Sequence, residues 1–214
     1  MKQFLAIGLL IVAVSSVSAQ TNDGGGARAV CTMTIGQAPV ISGIKLGMTT
    51  EQLLALFPGS REDKEVSDAL ARPSNQYGAS TLMIRPEKYA SKAKFAGVSQ
   101  INFSLLDGHL ATLTVNYNGP EWKHVDQFVT KFSGETHLPA ADAWEAQVGM
   151  DTQLKILKCK DFEVTVFAGG KNVQNINYVI VRDAASQKTL KERKEKAREA
   201  NKVRQAIPGT SLLP

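Results

Sequence analysis

Apolar and polar positions along this chain switch between a helical and a two-residue period, and the switches predict its elements. Leu53, Leu54, Leu56 and Phe57 form a stripe at helical spacing. Ahead of them stands Thr49-Thr50-Glu51-Gln52, a capping box with Thr49 as N-cap and Gln52 at N3. Met48 and Leu53 occupy the two staple positions, and Pro58-Gly59 ends the helix. Residues 60–78 are polar and aperiodic, which reads as a long loop with a helical turn near Val66 to Leu70. Strands are predicted at 81–84, stopped by Pro86, and at 98–105 and 109–117, where apolar residues recur at every second position. A further short strand is predicted where Cys31, Met33 and Ile35 alternate with Thr32 and Thr34.

Asp107-Gly108 marks the turn between the second and third of these strands. A two-residue loop pairs Leu105 with Leu110 and Phe103 with Thr112, setting an apolar face against a polar one. A three-residue loop, Leu106-Asp107-Gly108, pairs Leu105 with His109, Phe103 with Ala111 and Ile101 with Leu113. Alternation therefore predicts the longer loop, with Gly108 left-handed in a bulge.

Trp122, Val125, Val129 and Phe132 mark a second helix, with Gly134 just past its end. Trp144 is expected to anchor a short strand or turn. Residues 154–159 and 162–168 read as a hairpin around Lys160-Asp161, pairing Leu157 with Val164. Gly169-Gly170 and Lys171-Asn172 form the next turn, and Ile176, Tyr178 and Ile180 mark a last strand. The predicted class is α+β: an antiparallel sheet with two helices on one face, in a loose αβββ tandem with halves at about 40–118 and 120–182. A charged C-terminal helix follows at 184–207, then a disordered tail at 208–214.

The two ends of the chain carry the remaining signals. Lys2 precedes an apolar run from Phe4 to Val14, and the small residues Val17-Ser18-Ala19 follow before Gln20. That order predicts a signal peptide over 1–19, cleaved near Ala19-Gln20, and a flexible Gly-rich spacer over 20–29. Localisation is then periplasmic or secreted, with no transmembrane segment. The net charge of +5 is concentrated near the C-terminus. Residues 184–214 hold eight cations and three anions, so residues 20–183 are close to neutral. Within this tail Lys191, Arg193, Lys194, Lys196, Arg198, Lys202 and Arg204 are candidate contacts for an anionic envelope polymer or envelope protein. Trp144 is a further candidate contact. The plainer reading of the tail is a solvated helix with ordinary i,i+4 pairs. Interleaved aromatics are missing from it, which argues against nucleic acid.

Cys31 and Cys159 are the two cysteines. Neither sits in a C-x-x-C, and no His stands at ligand spacing, so zinc and redox readings fail. In an oxidising compartment they are expected to form a disulfide, the alternative being two buried thiols. His109, His124 and His137 fall on separate predicted elements, so no metal or catalytic set is read from them. There is no G-x-S-x-G, and the glycine pairs do not join a strand to a helix. No catalytic residue or cofactor follows from the sequence, and it does not fix the oligomeric state.

Ile41-Ser42-Gly43-Ile44-Lys45-Leu46-Gly47-Met48-Thr49-Thr50-Glu51-Gln52 resembles the opening of small bacterial envelope proteins of the SmpA/OmlA (BamE) type. In those, a G-x-x-x-G-M-T element starts a helix ahead of antiparallel strands. The β-lactamase-inhibitor-protein fold is a tandem version of that plan. This chain departs from them in lacking a lipid-attachment cysteine, in its length and in its basic tail. As a whole it looks like exported proteins of Gram-negative bacteria that share Leu46-Gly47-Met48-Thr49, Phe57-Pro58-Gly59 and a charged C-terminal helix. The resemblance implies a fold and a compartment. The expected function is a non-enzymatic exported binding or scaffold protein. The competing expectations are a hydrolase built from dispersed carboxylates or histidines, and a small-ligand carrier with a cavity beside Trp144.

Overall fold

The capping box forms as its residues dictate. Thr49 Oγ1 accepts the Gln52 N–H at 3.3 Å, and Gln52 Oε1 accepts the Thr49 N–H at 2.9 Å. The helix they start, α1 (Thr50–Leu54), stops before its apolar stripe does. Leu56 and Phe57 fall in the following turn, where Gly59 adopts φ +85°. Phe57 is still fully buried and stacks on Phe95 at 4.7 Å, with Tyr89 and Phe103 beside it. This computed structural model describes residues 30–119, 122, 124–147, 153–169 and 176–206. The expected leader, spacer and tail lie outside the described residues, as does most of the turn after Gly169.

The stretch read as loop contains α2 (Lys64–Ala71). Asp63 caps it by accepting the Glu65 N–H at 2.9 Å. Val66 is its one fully buried residue, so the sequence offers no apolar period to detect. Then come β1 (Ala79–Ile84), β2 (Val98–Leu106) and β3 (His109–Asn118). The second half holds α3 (Val125–Thr136), β4 (Glu145–Ala146), β5 (Leu154–Lys158), β6 (Phe162–Ala168) and β7 (Ile176–Asp183). The last helix, α4 (Ala184–Ala206), follows β7 without a loop.

Three further expectations are corrected. Residues 31–35 form no strand, because Gln37 folds back on the Thr34 N–H and tightens Ile35–Gln37 into a 3-10 turn. Gly134 lies inside α3, and His137 takes the left-handed position at φ +56° instead. The β2–β3 loop has two residues, not three. Asp107 and Gly108 both have positive φ, +50° and +79°, as the hairpin turn matched to strand twist requires. Leu106 therefore faces His109 and Leu105 faces Leu110. The mismatch of faces is absorbed one step along, where the register jumps and Ala111 becomes an extra residue. Beyond it Phe103 meets Leu113 and Ile101 meets Val115, all buried. A phase shift was needed, as alternation implied, but it lies in the strand. The β5–β6 hairpin does keep the expected register, with Leu157 opposite Val164.

All seven strands form one antiparallel sheet in the order β1-β2-β3-β7-β6-β5-β4. The fold is α+β, with a larger sheet than two separate triplets. β3 and β7, the last strands of the two halves, pair at its centre from Thr112–Arg182 to Asn118–Ile176. One face carries Ile101, Phe103, Leu113, Val115, Val164, Val166, Val179 and Val181, all buried. Leu53 and Leu54 of α1, Val66 of α2, and Phe128, Val129 and Phe132 of α3 join them in a single core. No helix among the described residues is long and apolar enough to cross a membrane.

Cys31 and Cys159 are joined, with Cα atoms 4.5 Å apart across 128 residues of sequence. The bond ties the start of the described chain to the β5–β6 turn, where Ile35 N–H also donates to Asp161 Oδ2 at 3.2 Å. A loop of this length stabilises the fold by about 4–5 kcal/mol in the chain-entropy account. Replacing both cysteines by serine should lower the urea midpoint accordingly, and reductant should do the same to the parent protein. Equal midpoints with and without the bond would remove it from the account of stability.

Candidate functional site

α4 is where charge, exposure and anchoring meet. Its start is set by Asp183, whose carboxylate accepts the Ala185 N–H at 3.0 Å and the Ser186 hydroxyl. The helix then runs along the face of the sheet opposite the core. Gln187 donates to Thr112 Oγ1 at 3.0 Å. Leu190 borders a cavity of about 350 Å3 together with Thr81 and Ser104. Arg182, Thr112, Ser104 and Thr81 face one another in one row across β7, β3, β2 and β1, and this row is the helix's track.

Arg193 ends the track. Its guanidinium grips the Asp107 carboxylate with two bonds of 2.8 and 2.7 Å, and donates to the Tyr77 carbonyl at 2.9 Å. Bidentate geometry of this kind is the strongest form a surface ion pair takes. Asp107 is available because the two-residue turn projects it at the hairpin tip. Gly78 makes room for the pair: its φ is +77°, and a Cβ there would collide with Asp107 Oδ1 and stand 2.6 Å from Arg193 Nη1. The hydrogen bond from Arg193 holds the Asp107 carboxyl below its ordinary range, and the same bond raises the guanidinium.

Past Arg193 the helix leaves the body. Residues 194–202 are exposed except for Ala197. Lys188, Lys191, Lys194, Arg198 and Lys202 recur at three- and four-residue spacing, so they share one face over about 21 Å of helix. Lys191 approaches Glu195 only at 3.9 Å, a solvated pair of little energetic consequence. Of the candidate contacts, Lys191, Lys194, Arg198 and Lys202 are thus brought together. Lys196 points off this stripe, and the Arg204 side chain lies outside the described residues. Arg193 is an anchor, its donors turned to the body. Trp144 is 1 % exposed and its indole N–H donates to the Pro139 carbonyl at 3.1 Å, so it has no surface to offer a partner.

Several other polar groups have structural partners. Lys88 Nζ lies 2.9 Å from Asp63 and 3.2 Å from Glu65, and the Tyr89 hydroxyl donates to Asp63 at 3.3 Å. The Lys88 bond keeps the Asp63 carboxyl low, so it stays ionised as the α2 cap. His109 Nδ1 meets the Gly47 carbonyl at 3.1 Å, while His124 and His137 flank α3 at its two ends. A cavity of about 420 Å3 between α1, α2 and β1 is lined by one carboxylate, Glu51, which sits 3.8 Å from Arg61. Among the described residues no group of three or more His, Cys, Asp or Glu is placed to hold a metal ion. No family model, curated protein or solved structure matches the chain.

Asp107, Gly78 and Tyr77 were not read as site residues. The Asp-Gly turn was visible, but its partner Arg193 lies 86 residues away, and nothing local to either residue names the other.

Asp107→Asn keeps a turn-compatible residue but removes the charge pair, and Gly78→Ala obstructs it. Both should speed tryptic cleavage after Lys188 and Lys191 several-fold while leaving the rest of the body resistant. Unchanged cleavage would show that Arg193 does not hold the helix. Because the Asp107 carboxyl is lowered by Arg193, the clamp is fully formed above the ordinary value of 3.8 and is lost as pH falls through the lowered one. A carboxyl-carbon NMR titration should place Asp107 below 3.8, and Arg193→Gln should return it upward. Equal midpoints in the two proteins would contradict the pairing.

Proposed function

We propose that this chain is an exported, non-enzymatic binding or scaffold protein of the bacterial envelope, and that the outer half of α4 is its contact element. The observation that carries the reading is the division of α4 at Arg193. Ten residues are fastened to the sheet, and the next nine stand clear of it with Lys194, Arg198 and Lys202 on one stripe. A solvated surface helix has no need of a bidentate anchor at its midpoint. A helix that must present charge at a set distance from a rigid body does. The disulfide suits an oxidising compartment, and the N-terminal pattern supports export. The partner that fits is anionic: an envelope polymer, or an acidic protein surface.

The test is capture of partners from native envelope by the full mature chain and by a variant with Lys191, Lys194, Arg198 and Lys202 changed to Gln. These side chains are exposed, so the thermal midpoint should stay the same. Capture should fall at least tenfold, and capture by the parent should weaken as salt shortens the screening length. An unchanged partner list would return the stripe to a merely solvated face.

A further inference from the structure

Where the end of β3 meets α3, a second feature stands apart from α4. A pocket of about 300 Å3 is lined by Gly97, Tyr117, Trp122, Phe128, Lys131 and Glu135, among others. Phe128 is its floor, 6 % exposed. The Trp122 indole lies parallel to the Phe128 ring at 5.3 Å and 7°, and the Tyr117 ring meets it edge-on at 5.7 Å and 86°. Trp122 and Tyr117 are both half-buried. Tyr117 makes no hydrogen bond through its hydroxyl to any described residue. Burial, with the Glu135 charge nearby, pushes its phenol pKa well up, so the hydroxyl keeps its proton. At the rim, Lys131 and Glu135 pair at i,i+4, setting a donor and an acceptor side by side with no net charge.

We infer that this pocket binds a single neutral pyranose ring, free or at the end of a glycan chain. A pyranose has a flat C–H face and a rim of hydroxyls that both donate and accept. The first fits the aromatic wall, and the second fits the Tyr117 hydroxyl and the Lys131–Glu135 pair together. An apolar ring of the same size would bury the phenol hydroxyl and dehydrate the ion pair without replacing a hydrogen bond. A charged ligand meets a site whose own charges already cancel. The volume lies at the lower end of small-molecule pockets and matches one ring. This inference does not depend on α4, and either can fail alone.

Trp122 is the natural reporter, because the other tryptophan, Trp144, is sealed in the core. The full chain is titrated with glucose, galactose, N-acetylglucosamine and the β-1,4-linked tetramer of the last, with indole as the apolar control. At least one sugar should give a saturable change in emission. Tyr117→Phe, which keeps the ring, should weaken that sugar about tenfold for the loss of one hydrogen bond and leave the thermal midpoint unchanged. Equal affinity for monosaccharide and tetramer would identify the ring itself as the ligand, and tighter binding of the tetramer would identify a chain end. No saturation with any sugar overturns the proposal, as does binding of indole alone. Equal sugar affinity in Tyr117→Phe and Lys131→Met would also overturn it.

Discussion

The β3–β7 ladder is the constraint on which everything else in this protein rests. It pairs Thr112 through Asn118 with Arg182 through Ile176 and joins the three strands of the first half to the four of the second in one sheet. Val115 faces Val179 and Leu113 faces Val181, so the ladder also forms the middle of the buried face. Its hydrogen bonds alone do not explain its hold; the net worth of each is about 1 kcal/mol. The greater part comes from apolar surface that α1, α2 and α3 close over on one side. A register slip of one residue here would turn the whole valine row to the opposite face.

The ladder also decides where α4 begins. β7 ends at Asp183, beside the row that holds Thr112, Ser104 and Thr81, and Asp183 caps the helix directly. From that start, six residues of helix carry the chain from Gln187 to Arg193, within reach of the β2–β3 tip. The bulge at Ala111 matters at this point. It permits the two-residue turn that projects Asp107, while keeping Phe103 and Ile101 in the core. Turn geometry, a glycine without a Cβ and a bidentate pair thus set the point at which α4 leaves the body.

Elements with dense local signals were readable in advance. The α1 capping box, the β5–β6 register and the Cys31–Cys159 bond each follow from residues adjacent in sequence or from a count of two cysteines. Elements that depend on one buried side chain or on distant partners were not. α2 buries only Val66, and a single apolar residue carries no period. Alternation showed that the β2–β3 hairpin needed an extra residue; backbone twist, which favours positive φ at both Asp107 and Gly108, moved that residue into the strand. Arg193 looked like its cationic neighbours because its distinguishing partner is on another hairpin. Trp144 was readable both as an anchor and as a contact, and its burial with the bond to the Pro139 carbonyl leaves only the first.

The central claim is that α4 is one helix with two mechanical regimes divided at Arg193. Residue-resolved amide hydrogen exchange on the full chain tests it most directly. The account predicts strong protection from Gln187 to Arg193 and a steep drop beyond Lys194. Uniform protection along the whole helix would mean that its outer half is docked as well. Uniform rapid exchange from Ala184 onward would mean that the Asp107–Arg193 clamp does not hold it.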